Sequence, residues 1–379
     1  MPRGCLRETV TFTYRPRPLD PEMNGRERLE ATLRGEFAGE VPWAPLIFQD
    51  TLSHYPGKIR EAGPVAFTRM IGGDVLMRVK SCRVSRPGVE VTHREDGVLQ
   101  IDYSTRHGRL RDLLRVGRYG APRRESYPIT SPDQYRILED IVKKQKLEPD
   151  YATLEKLDTE LGGSGTLMAF ESTTPVQDLI QNWLGLRGFY SHLLRYRSDL
   201  ENLISTMHEA NTEIYGVMAE SPLEFNCIVE NTDIKLVSPG FYARYSMGHV
   251  RDFVDVMHRA GKVAIVHMCG KVNGLLHLIR RTGLDGIDCL TPAPIGDIDF
   301  RQVFDLFGRG FAIHGALDHP RWISSHLTED RIRENVMGVL ESVEGRPFIL
   351  CTAADGIPGI PINRFMTIGR AVEEYRGRG

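Results

Sequence analysis

The chain has 379 residues, with 48 Lys and Arg against 50 Asp and Glu and a formal net charge of -2. So even a balance gives no electrostatic footprint for nucleic acid or an anionic membrane. No apolar run reaches the ~18 residues of a membrane span, and residues 1–22 lack the apolar core of a signal peptide, so a cytoplasmic protein is expected.

Residues 1–22 alternate as Thr-Val-Thr-Phe-Thr-Tyr and run into Arg-Pro-Arg-Pro, the pattern of an extended N-terminal arm. Residues 23–379 read as a single domain. After a helix over Gly25–Leu33, apolar β-rich runs alternate with amphipathic stretches, the signature of a parallel sheet covered by helices. Eight runs are predicted as strands: Val41–Phe48, Asp74–Arg78, Thr166–Phe170, Glu224–Val229, Val263–Met268, Gly286–Leu290, Phe311–Gly315 and Phe348–Cys351. Helices fall between most of them, with Val254 and Met257 on one face of Val250–Ala260, and Leu275, Leu276 and Ile279 on one face of Val272–Thr282. The fold class predicted is α/β, a closed (β/α)8 TIM barrel. Residues 79–125 read as a β insertion after the second strand, with a hairpin turn at Glu95-Asp96-Gly97, lying over one end of the barrel. It carries a basic stretch, Arg106, Arg109, Arg111, Arg115, Arg118, Arg123 and Arg124, suited to a solvated face or to an acidic or phosphate-bearing partner. A polar, charged helix over Ser131–Glu148 leads to the third strand.

Six cysteines (Cys5, Cys82, Cys227, Cys269, Cys289 and Cys351) lack the spacing of a disulfide framework, which leaves metal binding as their most specific use. Val-Ala-Ile-Val-His267-Met-Cys269-Gly270 ends a strand in an imidazole and a thiol. Residues two apart on an extended chain share a face, so His267 and Cys269 converge while Met268 points away. Pro-Phe-Ile-Leu-Cys351 ends another strand in a thiol, and N and S donors of this kind suit an open zinc site. A buried Cys beside a satisfied His is the competing reading. In a barrel the active site lies at the C-terminal strand ends, where Glu230, His267, Cys269 and Cys351 all fall. Glu171 and Asp318 end two further strands and serve equally well as helix caps.

The segment from His267-Met-Cys-Gly270 to Leu-Ile-Arg-Arg-Thr-Gly283-Leu-Asp-Gly-Ile-Asp288 resembles the uroporphyrinogen decarboxylase superfamily. Glu230-Asn-Thr-Asp, Ser238-Pro239-Gly-Phe241 and Asp355-Gly-Ile-Pro-Gly-Ile-Pro361 extend the resemblance over most of the chain. It implies a (β/α)8 barrel and either a decarboxylase or a zinc methyltransferase working with a corrinoid protein. The decarboxylases carry an Arg-Gln-Ala-Gly-Arg segment after the first strand, whereas Phe48-Gln-Asp-Thr-Leu-Ser-His54-Tyr55 has no arginine. The methyltransferases carry His-x-Cys and a distant Cys. In the coenzyme M enzymes that last Cys directly precedes Gly-Ile; Asp355 stands there in this chain, and Cys351 lies four residues earlier.

The resemblance thus implies a corrinoid-dependent demethylating methyltransferase. A zinc-bound substrate would exchange its methyl group, with a methoxyaromatic as first choice and a thioether or thiol as alternatives. No Asp-x-His-x-x-Gly corrinoid signature occurs, so the cobalamin is expected on a separate protein. His267, Cys269 and Cys351 are the metal ligands expected, with Glu230 or Asp355 as alternatives. Glu230 and His267 are the candidate catalytic residues, and Phe48, Phe170 and Tyr242 the candidate pocket walls. Two other readings stay open: a metal-free decarboxylase or lyase with Asp50 and Glu230 stabilising charge, and a non-catalytic corrinoid-binding accessory protein. A homodimer is compatible with all three.

Overall fold

The computed structural model of the chain describes residues 23–53, 55–93, 97–116, 122–317, 327–352 and 360–378. The predicted arm, His54, the Glu95-Asp96 turn, Arg118, Asp318 and Asp355 lie outside the described residues. In chain order the strands are β1 (Val75–Val79), β2 (Cys82–Ser85), β3 (Val89–His93), β4 (Val98–Thr105), β5 (Gly108–Val116), β6 (Pro122–Ser126), β7 (Lys146–Pro149), β8 (Gly165–Thr173), β9 (Phe225–Val229), β10 (Val263–His267), β11 (Gly286–Leu290), β12 (Ala312–Leu317) and β13 (Phe348–Thr352). β1, β8, β9, β10, β11, β12 and β13 form a curled parallel sheet of seven strands in that order. Helices connect and cover them, so seven of the eight predicted barrel strands are present to within a few residues.

The eighth, predicted over Val41–Phe48, is reduced to a single bridge between Trp43 and Leu350. Pro42 and Pro45 flank that bridge, and neither has an N–H to extend a ladder. What remains is enough to close the ring: Ala44 donates to the Leu350 carbonyl, Leu350 to that of Pro42, and Asp74 to that of Trp43 on the β1 side.

Strand parity sorts the barrel residues. Ile265, Cys227, Phe225, Met168 and Ile349 face inward and pack on Leu29 and Leu33 of the helix Gly25–Leu33. Ala264, Val266 and Met268 face outward into the core under the helices. Met168 is thus part of the packed interior, and the polar groups of the site begin one layer above it.

The insertion differs in extent from its prediction. β3 to β6 form a four-stranded antiparallel sheet, whereas β2 pairs with β7 in a separate ribbon. β7 falls inside the helix predicted over Ser131–Glu148, which ends at Lys143. Pro149 pushes Glu148 out of the helical region, and the strand pairing of residues 146–149 with β2 takes the rest of the stretch. The remaining helix is not polar throughout: Tyr135, Ile137, Leu138, Ile141 and Val142 are buried and join Leu110, Trp183 and Phe189 in a second core. The basic stretch is largely paired locally, with Arg111 on Asp102, Arg115 on Glu125 and Arg124 on Asp112. Among the described residues no helix is long and apolar enough to cross a membrane.

Asp74, buried at the foot of β1, ties the closure together. Its carboxylate accepts from the Trp43 N–H at 3.1 Å, from Arg28 at 2.7 Å and from Arg376 of the last helix at 3.0 Å. Removing that carboxylate leaves the Trp43 N–H without its acceptor and takes the buried anion from between two guanidinium groups, which keep as carboxylate partners only the more exposed Glu40 on Arg28 and Glu373 on Arg376. Asp74→Ala is therefore expected to cost about 3–5 kcal/mol in urea unfolding, and a loss below about 1 kcal/mol would show that these pairs behave as surface pairs.

Candidate active site at the barrel mouth

β10 delivers its last inward residue, His267, to the mouth, and the register fixes what stands beside it. His267 is level with Asp288 of β11, and Asp288 with His314 of β12. The His267 Nδ1 lies 2.6 Å from Asp288 Oδ2 and the His314 Nδ1 lies 2.5 Å from Oδ1. Arg78, from β1 across the barrel, donates to Oδ1 at 2.6 Å. The other His314 nitrogen is 3.1 Å from the Ala44 carbonyl. Asp288 is 1 % exposed. Burial by itself would raise its carboxyl, but the Arg78 charge and the bonds from His267 and His314 win and hold it well below the ordinary carboxylate range. Burial would likewise lower His267, and the bond to Asp288 reverses this and raises it well above the usual imidazole value.

The outcome is an imidazole with Nδ1 anchored on a buried carboxylate. Cys269, two residues on, is exposed, and its thiol donates to Asn231 Oδ1 at 3.2 Å. Met268 turns outward as expected and is fully buried. Gly270 lets the loop close behind Cys269, since a Cβ there would sit 2.6 Å from the Thr232 carbonyl. Phe170 meets the His267 ring edge-on at 5.6 Å and lies under the Arg78 guanidinium at 5.3 Å. Phe48 is 39 % exposed beyond the Trp43 bridge. Phe170 therefore lines the imidazole, whereas Phe48 makes no ring contact with His267 among the described residues.

Cys351 is the inward residue one layer above Ile349, fully buried, and its thiol neighbours that of Cys289, which this neighbour and burial together push well above the ordinary thiol range. Cys289 sits at a register shift in β11 with φ of 70°, a left-handed conformation that costs a non-glycine residue about 1–3 kcal/mol. Among the described residues no three His, Cys, Asp or Glu side chains form a set that could hold a metal ion. The structure brings His267 and Cys269 together and leaves Cys351 with Cys289.

Glu230 and Tyr242 are not brought to this pair. Val229 is level with His267, so Glu230 has the opposite parity and turns outward. There its carboxylate accepts from Thr174 and from Gln177 at 3.4 Å, and the fully buried Tyr242 packs in the same outer core. Glu171 is also turned away, accepting from Ser81 Oγ at 2.9 Å, and the side chain of Asp50 lies outside the described residues. Reading the motif missed Arg78, Asp288, Cys289 and His314. The signal available was a single polar, ionisable residue inside each of three otherwise apolar strands.

Burial pushes the Glu230 carboxyl up to about 7, against the bonds from Thr174 and Gln177, which lower it. The stability contributed by its protonated form is complete below the unfolded value of about 4.5 and is lost as pH rises through the folded value. Glu230→Gln, which cannot ionise, should therefore gain on the wild type by on the order of 3 kcal/mol between pH 5 and pH 8 in chemical denaturation. A pH-independent difference would show that Glu230 ionises as freely as in water.

The family model for uroporphyrinogen decarboxylase (URO-D) matches residues 114–375. Among solved structures, a methyltransferase from Methanosarcina mazei superimposes with a TM-score of 0.61 at 14% identity, covering 93% of this chain and 99% of that one. A B12-independent methionine synthase from Shewanella sp. W3-18-1 follows at a TM-score of 0.46 and 12% identity, over 91% of this chain and 98% of that one. No curated protein matches. With the family model spanning more than half its length, the chain belongs to the uroporphyrinogen decarboxylase family.

Proposed function

We propose that the chain is a zinc-dependent methyltransferase that moves a methyl group between a small methylated substrate, a methoxyaromatic in the first instance, and the cobalt of a corrinoid carried by a separate protein. The observation that carries this reading is the anchored imidazole of His267 beside the exposed thiol of Cys269. A carboxylate on one ring nitrogen fixes the tautomer and leaves the other nitrogen to a metal, the usual support for a histidine ligand. The M. mazei methyltransferase supports the fold on which the reading depends.

His267 and Cys269 would hold the zinc, with Cys351 as the third donor in preference to Asp355. Glu230, committed to Thr174 and Gln177, is left out of the set. Bound there, zinc supplies Lewis-acid activation of an ether oxygen or thioether sulfur, or ionises a thiol. Asp288 keeps the His267 ring in place, and Arg78 keeps Asp288 ionised. Phe170 and Phe48 offer flat apolar surface to an aromatic substrate and exclude water from its methyl group.

The purified protein is expected to carry about one zinc per chain, lost in His267→Ala and Cys269→Ala, with Asp288→Asn weakening zinc by about 10–100-fold. Zinc retained at the wild-type ratio in the His267/Cys269 double variant would sink the assignment. Zinc-loaded enzyme should convert cob(I)alamin to methylcobalamin, read by absorbance, with a methoxyaromatic donor. A metal-free decarboxylase or lyase is the second reading, favoured by the lack of a three-donor set among the described residues; a metal-free preparation with full activity would select it.

A further inference from the structure

A cavity of about 560 Å³ opens between the ends of β1 and β8, the β2–β7 ribbon and the long helix Arg197–Glu220. Its volume suits a small organic molecule. Lys80, Arg86, Glu171 and Asp178 supply its charges, and Val84 and Ile214 part of its apolar wall.

The acids on this wall are already satisfied. Glu171 accepts from Ser81 and lies 3.7 Å from Lys80. Asp178 accepts from Asn182 at 2.6 Å and from Trp183 at 3.2 Å. Asp150 caps the helix Tyr151–Leu161 by accepting from Thr153. Among the cations, Arg83 pairs with Glu148 at 3.1 Å. Arg86 differs. Among the described residues it makes no hydrogen bond or ion pair, and its Nε is buried without a partner. Asp178 acts on it only through space.

A buried Nε–H without an acceptor is costly, and the planar guanidinium fork that carries it is matched to carboxylate and phosphate oxygens. We propose that this cavity binds a small organic anion whose carboxylate or phosphate pairs with Arg86, with Lys80 as the second cation and the apolar body against Val84 and Ile214. The site needs neither zinc nor a corrinoid, so its test is independent of the methyl-transfer reading.

Benzoate, phenyl phosphate and inorganic phosphate are titrated into the full chain by calorimetry, with hydrogen exchange followed over residues 80–86 and 171–173. Benzoate or phenyl phosphate should bind at millimolar concentration or below and protect both segments. Arg86→Gln should weaken that binding by about tenfold or more while the ligand-free protein still unfolds in a single transition, because the cation it removes makes no hydrogen bond or ion pair among the described residues. Preference for benzoate assigns a carboxylate headgroup and preference for phenyl phosphate a phosphate. Inorganic phosphate binding as tightly as phenyl phosphate overturns the role given to the apolar wall. Equal affinity in wild type and Arg86→Gln overturns the site, as does the absence of heat and protection with all three probes. If Arg86→Gln does not fold, exchange in the wild type decides: protection elsewhere but not at residues 80–86 overturns the site.

Discussion

Asp288 carries the organisation of the barrel mouth. A carboxylate withdrawn from water loses several kcal/mol of hydration and is tolerated only where charges and donors replace it. Arg78 reaches it across the interior from β1, while His267 and His314 reach it from the strands on either side. One side chain thereby couples four strands distributed around the ring. The imidazole at the tip of β10 is positioned as much by the opposite wall as by its own strand, and the chemistry available to Cys269 depends on that anchoring.

Parity then divides the strand ends into two polar systems that share a height but not a space. His267, Asp288 and His314 look inward; Glu230, Thr174 and Gln177 look outward under the helices. A single residue of difference in register separates a group that can meet substrate from one that shapes the packing of the helical layer. The same rule places Met268 in the outer core between two residues at the mouth.

This explains what could be read from the sequence. The runs Gly286–Leu290 and Val263–Met268 are short and bounded by turn residues, so their positions are legible to within a residue, and the His-x-Cys spacing places His267 and Cys269 on one face. Glu230 was misplaced because it follows its strand's end, where inward or outward direction depends on pairing with β10, a long-range fact. Asp288 lay inside the quoted motif, but its partners Arg78 and His314 come from strands more than 200 residues apart in the chain, and nothing local connects them. The first strand failed for a local reason that was readable, the prolines at 42 and 45. β7 was hidden because Lys146–Pro149 continues a helical pattern and becomes a strand only against Cys82–Ser85.

The bridge between Trp43 and Leu350 has a consequence for how the chain is born. Its two halves are separated by nearly the whole length of the polypeptide, so the ring cannot close until β13 has left the ribosome. At about 5–20 residues per second, residues 42–44 wait roughly 15–60 s for their partner. Any sheet the earlier strands form before then has residues 42–45 at one edge, where two prolines cannot donate to a stray strand. The residues that weaken the seam of the finished barrel are those that keep its unfinished edge from pairing with another chain.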